Sequence, residues 1–286
     1  MVFVSTDSLT STTRTISGAK SELRRKFGEA EFHTVMVGTE TAESAIGGIR
    51  TRKPDILVTV GTAATQIAKD NFPETPIIFS AVKYPLMSGF VESLQKPGRH
   101  ITGASLDIPV DIQFRYFRQI IPDLKTVGVM YTSNTARLIP PAREIASQMG
   151  LELVAIEISG PRDLPKALDS LASCAQGLWS VADQNLYDPQ STKYILLNSL
   201  RRGLPFMGFS RYVVESGALF ALDFDYKAIG RQAGRIAALV LDHADPGTIP
   251  VTSPDIIWFH YNENTARHVK VEVPSDLVAI AKEVYR

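Results

Sequence analysis

A two-lobed α/β protein, with a parallel sheet and flanking helices in each lobe, is the fold class that three features predict. The chain of 286 residues is long enough for two cores of ordinary size. Short β-branched or aromatic runs alternate with segments of helical spacing along almost all of it, the order expected of parallel strands. The pattern of the first half also returns in the second at a nearly constant offset, which marks two lobes of like topology in tandem.

Strands are expected first at Val2 to Ser5, His33 to Val37, Asp55 to Val60, Pro76 to Ala81 and Ile101 to Leu106. A break near Leu106 to Val110 follows, where Pro109 precedes a helix from Asp111 to Ile121 that Pro122 ends. The second set comprises Val127 to Tyr131, Leu151 to Ile158, Gly177 to Val181, Pro205 to Phe209 and Ala218 to Leu222. The repeat is visible residue by residue: Leu57-Val58-Thr59-Val60-Gly61-Thr62 matches Leu178-Trp179-Ser180-Val181-Ala182-Asp183. Pro76 to Ala81 matches Pro205 to Ser210 in the same way. The whole reads as two Rossmann-like lobes joined by a hinge.

Composition narrows the function. Hydrophobic residues make up 44% and charged ones 21%, as in a folded globular chain. Thirty Lys plus Arg balance thirty Asp plus Glu without a basic block, so nucleic acid is not an expected partner. No apolar run has the roughly 18 residues of a membrane span. Met1-Val2-Phe3-Val4 shows no features of a secretory leader, which fits either a cytoplasmic chain or a mature one. The single Cys174 continues the apolar stripe Leu164, Ala167, Leu168 and Leu171, and is expected as a buried, inert thiol.

In open parallel sheets, ligands sit beyond the carboxyl ends of the strands. Here those ends are small and polar, and two facing sets would line a shared cleft. The candidate ligand-binding residues are therefore Ser5, Thr6, Gly61, Thr62, Ala63, Ser80, Ala81, Ser133, Asn134, Asp183, Ser210 and Asp223. The alternative for each is that it caps the helix that follows. Gly61-Thr62-Ala63 is the most informative turn: glycine bends the chain, Thr62 can cap, and small alanines leave the helix amides uncovered for an anionic or strongly accepting ligand group. Asp183, without a Lys or Arg beside it in sequence, is the expected anchor for an ammonium or other basic group, while Asp188 before Pro189 is the better helix cap. Of Asp223 and Asp225, one is expected at a strand end and the other as the start of the next helix.

Catalytic and metal-binding constellations are missing from the sequence. Five histidines are scattered, there is no paired cysteine, and neither P-loop, G-x-G-x-x-G, H-E-x-x-H nor G-x-S-x-G occurs. No catalytic residue, metal ligand or cofactor is expected.

The stretches "KPDILVTVGTAATQIAKD", "TPIIFSAVKYPLMSGFVESLQKPGRHITGAS", "IIPDLKTVGVMYTSN" and "LPFMGFSRYVVESGALFALDFDYKAIGRQAGRIAALVL", in that order, resemble the substrate-binding component of ABC-type uptake systems. The run from Ser216 to Ala233 is the most specific of them. The resemblance spans nearly the whole chain and implies the type I periplasmic-binding fold, an extracytoplasmic protein, ligand capture between lobes, a membrane permease as partner and no catalysis. It also implies amino acids, aromatic ones included, as a ligand class. The family's counterpart of the helix Tyr226 to Asp242 packs on the first lobe. That gives lobe 1 as residues 1–108 with 226–250, and lobe 2 as 109–225 with 251–286. One departure stands out. Where the family commonly has Thr-Asp-Pro after the fourth strand, this chain has Lys83-Tyr84-Pro85, so an acid that could face a ligand ammonium is replaced by an aromatic ring. Tyr84, Phe209 and Tyr212 could instead present flat faces to an aromatic ligand.

Two other readings share the fold: a ligand-sensing domain of a regulatory protein, and an α/β enzyme acting on a nucleotide-like substrate. Balanced charge argues against the DNA contact of a repressor, and the absence of a histidine at any expected strand end argues against the enzyme.

Overall fold

The computed structural model describes residues 1–28, 31–38 and 42–286. The chain opens with β1 (Val2–Ser5), α1 (Thr10–Phe27), β2 (His33–Met36), α2 (Ala42–Arg52), β3 (Leu57–Val60), α3 (Thr62–Asn71), β4 (Ile77–Val82) and β5 (Ile101–Ser105). It continues through α4 (Val110–Ile120), β6 (Thr126–Tyr131), α5 (Ile139–Gln148), β7 (Glu152–Glu157), α6 (Leu164–Cys174), β8 (Gly177–Trp179), α7 (Pro189–Arg201) and β9 (Phe206–Gly208). The last elements are α8 (Arg211–Glu215), β10 (Phe220–Phe224), α9 (Tyr226–Leu241), β11 (Ile257–Asn262), α10 (Glu263–His268), α11 (Ser275–Ile280) and β12 (Ala281–Tyr285). All ten expected strands form, with ends that differ by a residue or two. β11 and β12 are additions; β12 alternates between half-buried and exposed and follows α11 without a turn signal.

Two compact units emerge, one of Met1–Asp107 with Phe224–Ile256 and one of Ile108–Asp223 with Ile257–Arg286. The chain leaves the first unit for good after Ile256, whereas sequence reasoning had it leave after Pro250. Residues 251–256 stay because they pair with β5 and its neighbours. Val251 N–H donates to Leu94 O at 2.8 Å, Thr252 N–H to Gly103 O at 3.0 Å, and Ser105 N–H to Thr252 O at 2.8 Å.

The first unit holds a five-stranded sheet in the order β2-β1-β3-β4-β5, parallel throughout. Except for the edge strand β2, its strands are buried on both faces and read as largely apolar runs. The two-residue period still sorts the side chains: Val2, Val4, Leu57, Ile77 and Phe79 join one core, and Phe3, Val58 and Ile78 the other. The second core is closed by α1 and α9, which meet at glycines. A Cβ on Gly18 would lie 2.1 Å from Lys227 O, and one on Gly230 would lie 2.0 Å from Thr15 O. Only hydrogen fits there, so the stripe of Ile229, Ala233, Ile236 and Ala237 can reach the sheet.

The second unit has seven strands in the order β12-β11-β10-β9-β8-β6-β7. Its segment β7-β6-β8-β9-β10 repeats the order of the first sheet, which confirms the tandem repeat. Two cores again flank it, one containing Val127, Val129, Trp179 and Phe220, the other Met130, Leu178, Phe206 and Ala221. Cys174 departs from expectation. The buried stripe of α6 runs through Leu164, Ala167, Leu168 and Leu171 to Ala175, and Cys174, one residue off that line at the helix end, is exposed.

Candidate functional site at the strand ends

In a sheet of order 2-1-3-4-5, the connections leave in opposite directions at the boundary between the first and third strands, and a crevice opens beyond their carboxyl ends. In the first unit this point lies between β1 and β3, where Ser5 is level with Val60. Ser5 is buried and Thr6 half-buried. Asp7, next in the loop, is engaged in starting α1: its Oδ1 accepts from Leu9 N–H at 3.0 Å and from Thr12 Oγ1 at 2.6 Å.

Gly61, after β3, has φ 87° and ψ 161°, a left-handed conformation that glycine adopts freely. Its N–H donates to Ser80 O at 2.9 Å, and its carbonyl accepts from Thr65 N–H at 3.1 Å and Thr65 Oγ1 at 2.9 Å. Thr65 Oγ1 is also 2.8 Å from Thr59 Oγ1, so the turn is pinned from beneath. Gly61 rather than Thr62 is the cap residue, and no side chain caps α3. Thr62 and Ala63 are exposed at the first helical positions. The amides of this turn and the positive end of the helix dipole thus face outward.

Ser80 is a correction. It is fully buried and its Oγ donates to Thr59 O at 3.1 Å, so it fastens β4 to β3 and does not face a ligand. Beyond it the chain is strained. Ala81 has φ 55° at a bulge where the β4–β5 register shifts, and Tyr84 has φ 52°. Tyr84 N–H donates to Asp107 Oδ2 at 2.8 Å, and Asp107 N–H donates to Ser105 Oγ at 2.8 Å. Burial pushes the Asp107 carboxyl above its ordinary pKa, against the opposing pull of the hydrogen bonds from Ser105 and Tyr84 and the charge of Lys83. Sequence reasoning passed over Asp107 as part of the break between lobes; its signal was an acid two residues past a strand end.

The matching point of the second unit lies between β6 and β8, and Asp183 fills it. The residue is 3% exposed. Its Oδ2 accepts from Thr132 N–H at 3.1 Å, Thr132 Oγ1 at 2.8 Å and Thr135 Oγ1 at 2.6 Å, while Oδ1 accepts from Asn185 N–H at 3.0 Å. Burial alone would raise its pKa, but the bonds from Thr135, Thr132 and Asn185 outweigh burial and hold it below the ordinary carboxylate value. The expected ligand anchor is therefore an internal brace. Ser133 and Asn134 lie exposed in the loop that it braces. Asp188 does cap α7, accepting from Gln190 N–H at 2.7 Å and Ser191 N–H at 3.0 Å.

Phe209 and Ser210, at the end of β9, line a cavity of about 630 Å³ that runs between α7 and α8. Its walls include Tyr187, Leu196, Leu197 and Tyr212. Tyr187 packs on Phe209 with ring centroids 5.0 Å apart, and Arg211 covers the Tyr212 ring at 4.6 Å. The leucines escaped sequence reasoning because α7 carries apolar residues on its outer face as well as its core face, and Tyr187 because it lies in the loop before that helix. Asp223 and Asp225 divide as expected. Asp223 is the next-to-last residue of β10, with its Oδ2 3.5 Å from Arg211 N–H, and Asp225 caps α9, accepting from Lys227 N–H at 2.9 Å and pairing with Arg14 at 2.9 Å. Among the described residues no group of His, Cys, Asp and Glu is placed to hold a metal ion, and no helix is long and apolar enough to cross a membrane.

The family model for ABC transporter substrate binding proteins matches residues 1–285. The chain belongs to this family. As a substrate-binding protein it is 26% identical over 245 residues to a tyrosine-binding protein of Clostridioides difficile (strain R20291), covering 85% of this chain and 70% of that one. Among solved structures, the ligand-free, open form of a substrate binding protein with adhesive properties from Clostridium difficile matches with a TM-score of 0.80. Identity to it is 22%, covering 99% of this chain and 98% of the other. An ABC domain from Streptococcus pneumonia in complex with L-Trp matches over the same shares, with a TM-score of 0.68 and 20% identity. The expected type I periplasmic-binding fold is thereby established.

Proposed function

We propose that this substrate-binding protein captures an amino acid with an aromatic side chain outside the cytoplasm and passes it to an ABC permease in the membrane. Family membership supports the receptor role, and the tyrosine-binding relative and the L-Trp complex support the ligand class. The observation that carries the reading is the uncapped start of α3 at the β1/β3 reversal, with Thr6, Gly61, Thr62 and Ala63 around it. Outward amides at a helix N-terminus suit a carboxylate, the group common to all amino acids. Ala81 and Tyr84 border that turn along the sheet edge, and the Tyr84 ring is suited to stack on an aromatic side chain. In the second unit, Phe209 and Ser210 line a cavity with an apolar wall and a hydroxyl of its own. Catalysis has no part in this reading.

Mass spectrometry of the small molecules released when the purified protein is denatured tests it. An aromatic amino acid in amounts matching the protein is the expected result. Release of a sugar or nucleoside would overturn it, as would a protein that releases nothing and takes up no amino acid added to it.

A further inference from the structure

The acid absent from Lys83-Tyr84-Pro85 in sequence is present in space. Leu106 N–H donates to Val82 O at 2.8 Å, which sets Asp107 level with Tyr84 at the carboxyl edge of the sheet. There its carboxylate holds the Tyr84 N–H through Oδ2. We infer that Asp107 is the specificity-determining residue that receives the ammonium of the amino-acid ligand, in place of an acid after the fourth strand. This rests on the amino-acid reading above.

Three observations support it. First, the strand spacing suits the length of an amino acid. β3 and β5 flank β4, so their axes lie about 10 Å apart at an ordinary strand spacing. A carboxylate on the α3 amides and an ammonium on Asp107 need two hydrogen bonds of about 2.9 Å plus about 3 Å within the amino acid, roughly 9 Å in all. Second, Asp107 has bonding capacity to spare. A carboxylate accepts about four hydrogen bonds; Asp183 accepts four from its own unit, whereas Asp107 takes hydrogen bonds from Tyr84 and Ser105, with the Lys83 charge acting on it. Third, burial outweighs the Ser105 and Tyr84 hydrogen bonds and the Lys83 charge at Asp107, so a further cation at the carboxylate would relieve the cost of its charge.

Calorimetry with L-tyrosine and with 3-(4-hydroxyphenyl)propionate, which lacks the ammonium, tests the assignment on wild type and Asp107→Asn. The asparagine keeps an oxygen for Tyr84 N–H, and a melting temperature no lower than that of wild type verifies the fold. The expected result is a loss of about tenfold or more in L-tyrosine affinity in the variant, with the propionate bound equally by both proteins. Equal losses for both ligands would reduce Asp107 to a support for Tyr84, and no loss for either would remove it from recognition; either outcome overturns the inference. A wild-type protein that binds neither ligand nor any other amino acid overturns the amino-acid reading itself, and with it the role assigned to Asp107.

Discussion

At the β6/β8 reversal of the second unit, Asp183 ties two strand ends together by accepting four hydrogen bonds. At the matching point of the first unit, Gly61 closes the turn with Thr65 on its carbonyl, and no side chain caps α3. Thr62 and Asp183 are equivalent positions of the repeat, yet one is exposed on a helix start and the other is buried as a brace. The difference teaches that an acid at a strand end is not a ligand group by virtue of its position. What decides is whether neighbouring donors have already used its oxygens. By that criterion the first unit's edge is available for recognition, and the second unit's reversal is committed to stability.

The largest expected effect comes from breaking the brace. Asp183→Ala leaves the donors of Thr132, Thr135 and Asn185 without their acceptor and should lower unfolding free energy by about 3 kcal/mol, read from urea denaturation. A loss below about 1 kcal/mol would return Asp183 to the list of ligand contacts.

Copying the second unit's arrangement into the first comes next. Thr62→Asp puts a carboxylate on the amides at the start of α3, where it repels a ligand carboxylate while favouring the helix dipole. L-tyrosine affinity should fall roughly tenfold, with stability held or slightly raised. Unchanged affinity would show that ligand does not use this turn. Ala63→Pro is the milder version. It deletes one amide at a position where helices tolerate proline, and should weaken binding by about 0.5–1.5 kcal/mol.

The smallest effect is in pH dependence, where the two carboxylates act with opposite sign. Asp183 has a lowered folded pKa, so its stabilisation is present above the unfolded carboxylate value near 3.9 and is lost as pH falls through the folded one. Asp107 has a raised folded pKa. The folded chain takes up that proton before the unfolded chain does, so stability is gained as pH falls from neutrality toward about 4. Ser105, Tyr84 and the Lys83 charge are the groups that oppose this shift. Asp107→Asn should flatten the stability profile above about pH 4, and Asp183→Asn should flatten it below. Identical profiles for wild type and both variants would contradict the contrast.

Much of the fold was legible because doubly covered parallel strands write themselves as continuous apolar runs, such as Leu57 to Val60, and because the repeat doubled each signal. β11 and β12 were not, since aromatic and polar residues mix along the first and the second is a half-exposed edge. At the site, the Gly61 turn could be read locally. Asp183 could not, because its donors Thr132 and Thr135 are some fifty residues away and meet it only through the β6–β8 pairing. Ser80 was misjudged for a like reason: its acceptor, Thr59 O, belongs to a neighbouring strand. Asp107 was hidden by Pro109, which marks a boundary so clearly that the acid just before it went unread.

The contrast between the two carboxylates is most directly tested by following the side-chain carboxyl carbons of Asp107 and Asp183 by NMR across a pH titration, with and without L-tyrosine. The account predicts that ligand pulls the Asp107 titration down from its raised position and leaves that of Asp183 in place. An Asp107 titration that ignores the ligand, or an Asp183 titration that responds to it, would contradict the account.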